Sequence, residues 1–491
     1  MDEEGAVVVE TDGEVLSALL YRDGWNPAHL VVQESEVGKN EQWLQFQWRW
    51  NLYAEGETLQ ERLKNAGETV ERLWKDRDAA DADPKNAWSV ISLRRAHTSG
   101  SSLDFLDPDG NRIFELVVEI RNGREIIRVD QVSIDGNSIT MSFPHYGSRI
   151  EASLDQSGWL EGEWIKERGD EEEARLPFSA ATRNMNFCPT NGVPLAYGER
   201  TEIEGRWVVN FSKSGRAIGE FELLNPNENE SEYSRILGTF LTQTGDFRYL
   251  AGAVHGDGIR AYESLMPTRF QMSVFDGAHA FLFTAEIQSD GSLKGGFYSG
   301  NWHHETWTAV RDDDAQLPDA FKETTIADED ALGEMVFKNL EGIPTRVLDL
   351  LDESNAKARI IEIFGTWCPN CTDAGRELVS LRARYGDDLA VVGLAFEITE
   401  DFDRSVTQVK RHHEHIGTDW PILIAGLSDK AKASIALPVL DKVRSYPTLI
   451  FLNKDNEVQA VYTGFTGPAT GEAYKEQRQR FEALIEEAIN E

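Results

Sequence analysis

Cysteine is scarce. Three occur in 491 residues, which excludes a disulfide-dense scaffold. No run of about 18 apolar residues occurs, so no transmembrane helix is expected. Positive charge is also short. The 49 Lys and Arg face 85 Asp and Glu, leaving a net charge of −36. Phosphates repel such a surface, which argues against a nucleic-acid partner, and anionic membranes do the same. A basic leader is missing too, since Met1-Asp2-Glu3-Glu4 is the opposite of a signal-peptide start. The expected location is therefore the cytoplasm, or the periplasm or cell envelope if an export signal is missing from this chain. What is present suffices for packed cores: hydrophobic residues make up 40% and charged residues 27%, both near the globular average. At about 100–200 residues per domain, the length suggests roughly three domains.

Residues 1–86 read as a mixed segment, with short apolar runs and an aromatic stretch from Trp43 to Trp50. A helix is expected from Thr58 to Asp78, because Leu59, Leu63, Ala66, Val70 and Leu73 recur at helical steps. From residue 87 the pattern changes to short alternating runs punctuated by Asp-Gly, Asn-Gly and Ser-Gly turns, the signature of antiparallel β-structure. The pattern is duplicated. Ile139–Phe143, Gly147 and Ser157–Trp164 have counterparts in Phe270–Val274, Gly277 and Asp290–Phe297. We read two related β units, 87–185 and 201–312, each barrel- or sandwich-like, joined by a Pro/Gly connector over 186–200. An acidic linker follows over 313–335. Beyond it strands and helices alternate, giving an α/β domain over 318–491. Strands are expected at 359–364, 389–396, 421–425, 448–452 and 458–463, and helices at 371–385, 401–416 and 473–489.

Gly365-Thr366-Trp367-Cys368-Pro369-Asn370-Cys371 lies where a strand gives way to a helix. Disulfide exchange needs a thiolate, and a helix N-terminus offers unpaired N–H groups and a favourable dipole to Cys368. Two intervening residues put Cys371 within one turn, close enough to resolve a mixed disulfide. Pro369 sits in the first turn, where its missing N–H costs nothing. A zinc site would want a second ligand pair, and no other CxxC exists.

With Ser445-Tyr446-Pro447-Thr448-Leu449-Ile450-Phe451 far downstream, these residues resemble the thioredoxin superfamily, in particular its TlpA/ResA-like thiol-disulfide oxidoreductases, over 318–491. The resemblance implies Cys368 as attacking thiol, Cys371 as resolving thiol, and Pro447 as a cis-proline facing them. Trp367, Tyr446 and Pro369 frame the pair. It further implies a redox-active disulfide in place of a bound cofactor. Disulfide-containing client proteins and a dithiol electron donor would be the partners, in a bacterial cell envelope. Reduction of protein disulfides is the favoured direction.

Glu362 precedes Cys368 by six residues, where thioredoxins carry a buried Asp. It is either a proton acceptor beneath the dithiol or a paired strand carboxylate. Glu397 resembles an active-site Glu at the matching strand end. Many relatives carry a Glu three residues after the second Cys, and here that position is Ala374, with Asp373 and Glu377 nearby. A thiol peroxidase is a lesser alternative. Its usual Pro-x-x-x-Thr-x-x-Cys is not met, since Thr366 is two residues before Cys368 and position 361 is Ile361. A reading of another class makes the β units ligand- or client-binding, with the redox domain as accessory.

Three weaker signals remain. His412, His413 and His415 are expected on a solvated helix face in preference to a metal site. Trp302–Trp307 is expected as a partly exposed strand end, and Cys188 as an inert thiol in the connector.

Overall fold

The computed structural model describes residues 7–11, 14–22, 25–32, 104–106, 112–115, 118–129, 131–154, 159–169, 171–181, 203–224, 234–255 and 269–491. The helix expected over 58–78, the aromatic stretch near Trp48, the connector and Cys188 lie outside these residues. Among the described residues, no helix is long and apolar enough to cross a membrane.

The paired sequence segments occupy like places in two sheets. Ser138–Phe143, Ser148–Leu154, Trp159–Arg168 and Glu171–Ala181 are successive antiparallel neighbours in the first. Arg269–Phe275, Ala280–Ile287, Leu293–Ser299 and His303–Arg311 are so in the second. Alternation sets which way each strand faces: Ile139, Met141 and Phe143 point inward while their neighbours are more exposed. The first unit is not confined to 87–185. Its sheet takes in Val7–Thr11, Glu14–Arg22 and Trp25–Val32, and Glu14–Arg22 pairs antiparallel with Glu171–Ala181. Asp12-Gly13 and Asp23-Gly24 carry the same turn signal as the later hairpins, so the segment 1–86 is partly a piece of this sheet. One pairing, between Val9 and Val32, is parallel.

The second sheet has nine strands, of which Gly245–Asp246 hangs on one neighbour only; the other eight close on themselves because Gly215–Leu224 pairs with both Gly205–Phe211 and Ser234–Thr242. The result is an antiparallel barrel, and its interior is filled with rings. Phe240 stacks on Phe283 at 4.5 Å and Phe283 on Phe297 at 4.5 Å, with Trp307 crossing Phe240 edge-on at 5.4 Å. At Gly295 a Cβ would lie 2.5 Å from the Trp307 ring, so only glycine lets the two strands carry that indole between them. Because Phe283 is fully buried in this stack, Phe283→Ala is expected to destabilise the barrel by about 3–5 kcal/mol. A urea midpoint unmoved by that change would show that the rings do not hold the barrel. The two β units share packing as well, with Phe275 meeting Phe143 edge-on at 5.7 Å and Trp164 at 5.4 Å.

The C-terminal sheet runs in the order Pro344–Arg346, Val336–Lys338, Ile422–Leu427, Leu389–Glu397, Ala358–Phe364, Thr448–Leu452, Val458–Thr463. Ala358–Phe364 is parallel to Leu389–Glu397 and antiparallel to Thr448–Leu452. Every residue of these two parallel strands is buried, as expected for a sheet covered on both faces. The long helices Pro369–Tyr385, Phe402–Ile416 and Glu472–Asn490 begin and end within two residues of the expected positions. The edge hairpin Val336–Lys338/Pro344–Arg346 was not expected. The acidic stretch 313–335 is not a loose linker. Leu332 and Met335 are buried in the C-terminal core, and Phe321 packs edge-on to Tyr462 at 4.7 Å beneath the Arg480 guanidinium.

Candidate active site: a dithiol at a helix start

The central strand Ala358–Phe364 delivers the chain into Gly365, where a Cβ would lie 2.2 Å from the Trp367 indole nitrogen. That close approach lets Trp367 fold back, and its Nε1–H donates to the Phe396 carbonyl at 2.9 Å. Cys368 is the N-cap of helix Pro369–Tyr385, in an extended backbone conformation. Its Sγ accepts from the Cys371 N–H at 3.4 Å, and its carbonyl accepts from the N–H groups of Cys371 and Thr372. Pro369 fills the first helical position, where no donor is needed.

The Tyr446–Pro447 peptide is cis, and the Tyr446 carbonyl lies 3.6 Å from Cys368 Sγ. Residues 368 and 446 thus meet although 78 positions separate them. The Tyr446 ring stands edge-on to Trp367 at 5.6 Å. The two cysteines differ in exposure. Cys368 is 7% exposed and Cys371 0%, and burial pushes the Cys371 thiol well up, so it is held protonated.

Glu362 lies mid-strand and is 3% exposed, and burial alone pushes its carboxyl up to about 8. Its charge is felt at Cys371, whose thiol it also pushes up. Glu397 does something else. It accepts from the Thr366 N–H at 3.0 Å and the Thr366 hydroxyl at 2.7 Å. Burial raises this carboxyl, and the bonds from Thr366 pull it back. Glu397 therefore fixes the turn that carries Trp367 and Cys368. The same bond commits the proton of the Thr366 hydroxyl to Glu397.

Asp373 and Glu377 are committed too. Asp373 pairs with Arg248 at 2.7 Å, and Glu377 with Arg478 at 3.1 Å and the Tyr474 hydroxyl. The histidines correct an expectation. His412 is 3% exposed and stacks on Phe364 at 5.5 Å, and burial lowers its basicity well below the usual value. His415 instead meets Arg376 at 3.0 Å and stacks on His145 of the first β unit at 3.5 Å. In the strand His303–Arg311, His304 is exposed, while Glu305 is buried and accepts from Ser214 N–H at 2.9 Å.

Several residues around the dithiol come from the β units, and sequence reasoning missed them. The Tyr146 hydroxyl donates to Thr372 at 3.0 Å, one residue beyond Cys371. Arg248 is buried among Asp373, Glu125 and Asp276, which hold it charged against the cost of burial. Asp246 accepts from the Arg248 N–H at 2.6 Å and from the Gly467 N–H, and burial pushes it up to about 6. The half-buried Lys166 is pushed down to about 8 by burial and donates to the Ala278 carbonyl at 2.5 Å.

No family model matches the chain. A curated relative, Thioredoxin-like protein YneN of Bacillus subtilis strain 168, is 28% identical over 114 residues. Over those 114 residues the chain is similar to a thioredoxin-like protein. The match covers 23% of this chain and spans 61% of the relative's length. Among solved structures, a thioredoxin-family thiol:disulfide interchange protein from Chlorobium tepidum TLS is 18% identical, with a TM-score of 0.23, covering 31% of this chain and 92% of its own. A DsbF homologue from Corynebacterium diphtheriae is 19% identical, with a TM-score of 0.25, covering 35% and 97%. The dithiol and the cis peptide belong to the C-terminal α/β unit itself, while Tyr146, Asp246 and Arg248 reach that unit from the β units.

Proposed function

We propose that the protein is a thiol-disulfide oxidoreductase that reduces protein disulfides through Cys368 and Cys371. The observation that carries this reading is the placement of Cys368. Its sulfur sits at a helix start, with the Cys371 N–H directed at it and cis-Pro447 following the carbonyl beside it. The Cys368 thiolate attacks one sulfur of a client disulfide, forming a mixed disulfide and releasing the other sulfur as a thiolate. Cys371 then gives up its proton, with Glu362 as acceptor, and attacks Cys368 Sγ. The client leaves with two thiols, and the protein is left with a Cys368–Cys371 disulfide. A dithiol donor returns two electrons and two protons. We place this work outside the cytoplasm, where client disulfides persist.

A redox titration with mass-tagged thiols tests the reading. A two-electron transition near about −270 mV supports a reductase, and one near about −120 mV an oxidant. The Cys371→Ser variant should lose the transition. No transition in the natural chain, or one that survives in the variant, would sink the proposal.

A further inference from the structure

Both β units cover the start of the active-site helix: Gly245 lies against Asn370, and Tyr146 bonds Thr372. The barrel strand Ser234–Thr242 ends in a turn that lies on the rim of the redox site. Two loops of the C-terminal α/β unit and the start of its active-site helix form that rim, and the turn touches each. The Ser445 hydroxyl, next to the cis peptide, donates to the Thr244 carbonyl at 3.1 Å. A Cβ on Gly464 would lie 2.7 Å from the Thr244 carbonyl group. A Cβ on Gly245 would lie 1.9 Å from the Asn370 amide nitrogen, between the two cysteines in sequence. Just beyond, the Gly467 N–H donates to Asp246, and Arg248 pairs with Asp373 on the active-site helix at 2.7 Å.

The first β unit closes the opposite side. Gln408 donates to the carbonyls of Pro144 and His145 at 2.9 and 2.7 Å, and Arg404 to Glu167 at 2.7 Å. Between Tyr146, Trp367 and Glu397 lies a cavity of about 20 Å³, room for about one water, which neither cysteine lines. Thiol–disulfide exchange depends on access to the attacking sulfur. Cys368 is only 7% exposed, too little for a protein disulfide to approach its sulfur in this arrangement.

We propose that the Thr242–Arg248 turn is a plug that closes the dithiol to protein disulfides and lifts before exchange. The client-reducing role of the plug rests on the oxidoreductase reading above. The closure itself does not. The plug is a self-made occupant of the cis-proline rim, bonded to it through the Thr244 carbonyl, which accepts from the Ser445 hydroxyl. It selects clients that compete for that rim and excludes disulfides that cannot displace it.

Labelling of the reduced full-length chain, in a Cys188→Ser background, tests this. The rate of Cys368 modification is measured with N-ethylmaleimide and with a long polyethylene-glycol maleimide. Gly245→Trp puts an indole where Asn370 stands and keeps the turn from seating, and Arg248→Met removes the latch to Asp373. Both variants are expected to label at least about 10-fold faster than the natural turn, with the larger gain for the long reagent. They should also reduce insulin faster by a similar factor. Circular dichroism and a urea titration establish that each variant is folded. Labelling of the natural chain by the long reagent at its urea-unfolded rate would overturn the plug, whichever variants fold. So would equal labelling rates in the natural chain and a folded variant. Accelerated labelling with no insulin reduction in any form would leave the plug standing and remove the redox reading instead.

Discussion

Glu362→Gln should slow release of the client from its mixed disulfide with Cys368 by about 100-fold at pH 7, the lower end of what a positioned general base contributes. The reason is the proton on Cys371. That thiol is fully buried and pushed well up, so it does not ionise by itself at neutral pH. A group that takes its proton must be close, buried and basic near pH 7. Glu362, raised to about 8 by burial, meets the second and third conditions, and its charge is felt at Cys371. The substitution keeps shape and polarity while removing the base. Single-turnover quenching with a mass tag reads the mixed disulfide directly. In the natural chain its decay should quicken with pH and level off above about 8, and in the variant that rise should be missing. An unchanged rate and profile would return Glu362 to a purely structural role.

The same carboxyl makes a thermodynamic statement. Its folded value of about 8 exceeds the ordinary 4.5, so the native state holds a proton that the unfolded chain releases between those values. The stability tied to this proton is full below pH 4.5 and is lost as pH rises through 8. A spread of 8 − 4.5 = 3.5 pH units corresponds to roughly 5 kcal/mol at about 1.4 kcal/mol per unit. Urea unfolding at pH 5 and pH 9 should show that decline in the natural chain and a flatter one in Glu362→Gln. A parallel decline in both would contradict the buried-acid assignment.

Local chemistry was legible in the sequence, and long-range chemistry was not. A strand, a glycine and a Cys-Pro-Asn-Cys helix start are consecutive residues, so spacing alone sets their geometry. The β repeats were legible because Asp-Gly and Ser-Gly turns mark hairpins, and Asp12-Gly13 and Asp23-Gly24 carry the same signal ahead of the first repeat. Glu362 and Glu397 illustrate the middle case. Both are buried acids at strand positions, and only the two bonds from Thr366 reveal that Glu397 holds a turn. His412 misled because a run of three histidines reads as solvated, yet helix rotation turns one of them into the core against Phe364. Nothing in the sequence announces that Arg248 meets Asp373 across 125 positions. Such a contact depends on how a barrel rim lands on a helix, which no local pattern encodes.

Arg248→Met is expected to cost about 3–5 kcal/mol, the usual penalty for leaving buried partners of a lost charge uncompensated. Arg248 is 6% exposed, and it neutralises Asp373 at 2.7 Å, Asp276 at 3.9 Å and Glu125. Burial already pushes Asp373 up, and Arg248 is the leading group holding it down. Without the guanidinium, Asp373 takes up a proton more readily in the folded protein. Its folded value then rises further above the unfolded one. The penalty is accordingly largest at alkaline pH and shrinks as pH falls and the carboxyl is protonated. Asp373→Asn in the same chain should recover part of the loss, because the pair removed together leaves one buried charge fewer, and a double-mutant cycle reads that coupling. Urea titrations at pH 5 and pH 8 supply the measurement. A loss under about 1 kcal/mol, or one that does not vary with pH, would mean that the network is solvated and carries little. A large, pH-dependent loss would tie the seating of the barrel on the active-site helix to one cation. That cation stands two residues beyond an aspartate that bonds the Gly467 loop, on the turn that covers Cys368. Stability of the closed arrangement and access to the dithiol would then be set by the same contact, and a client able to displace it would open the site as it binds.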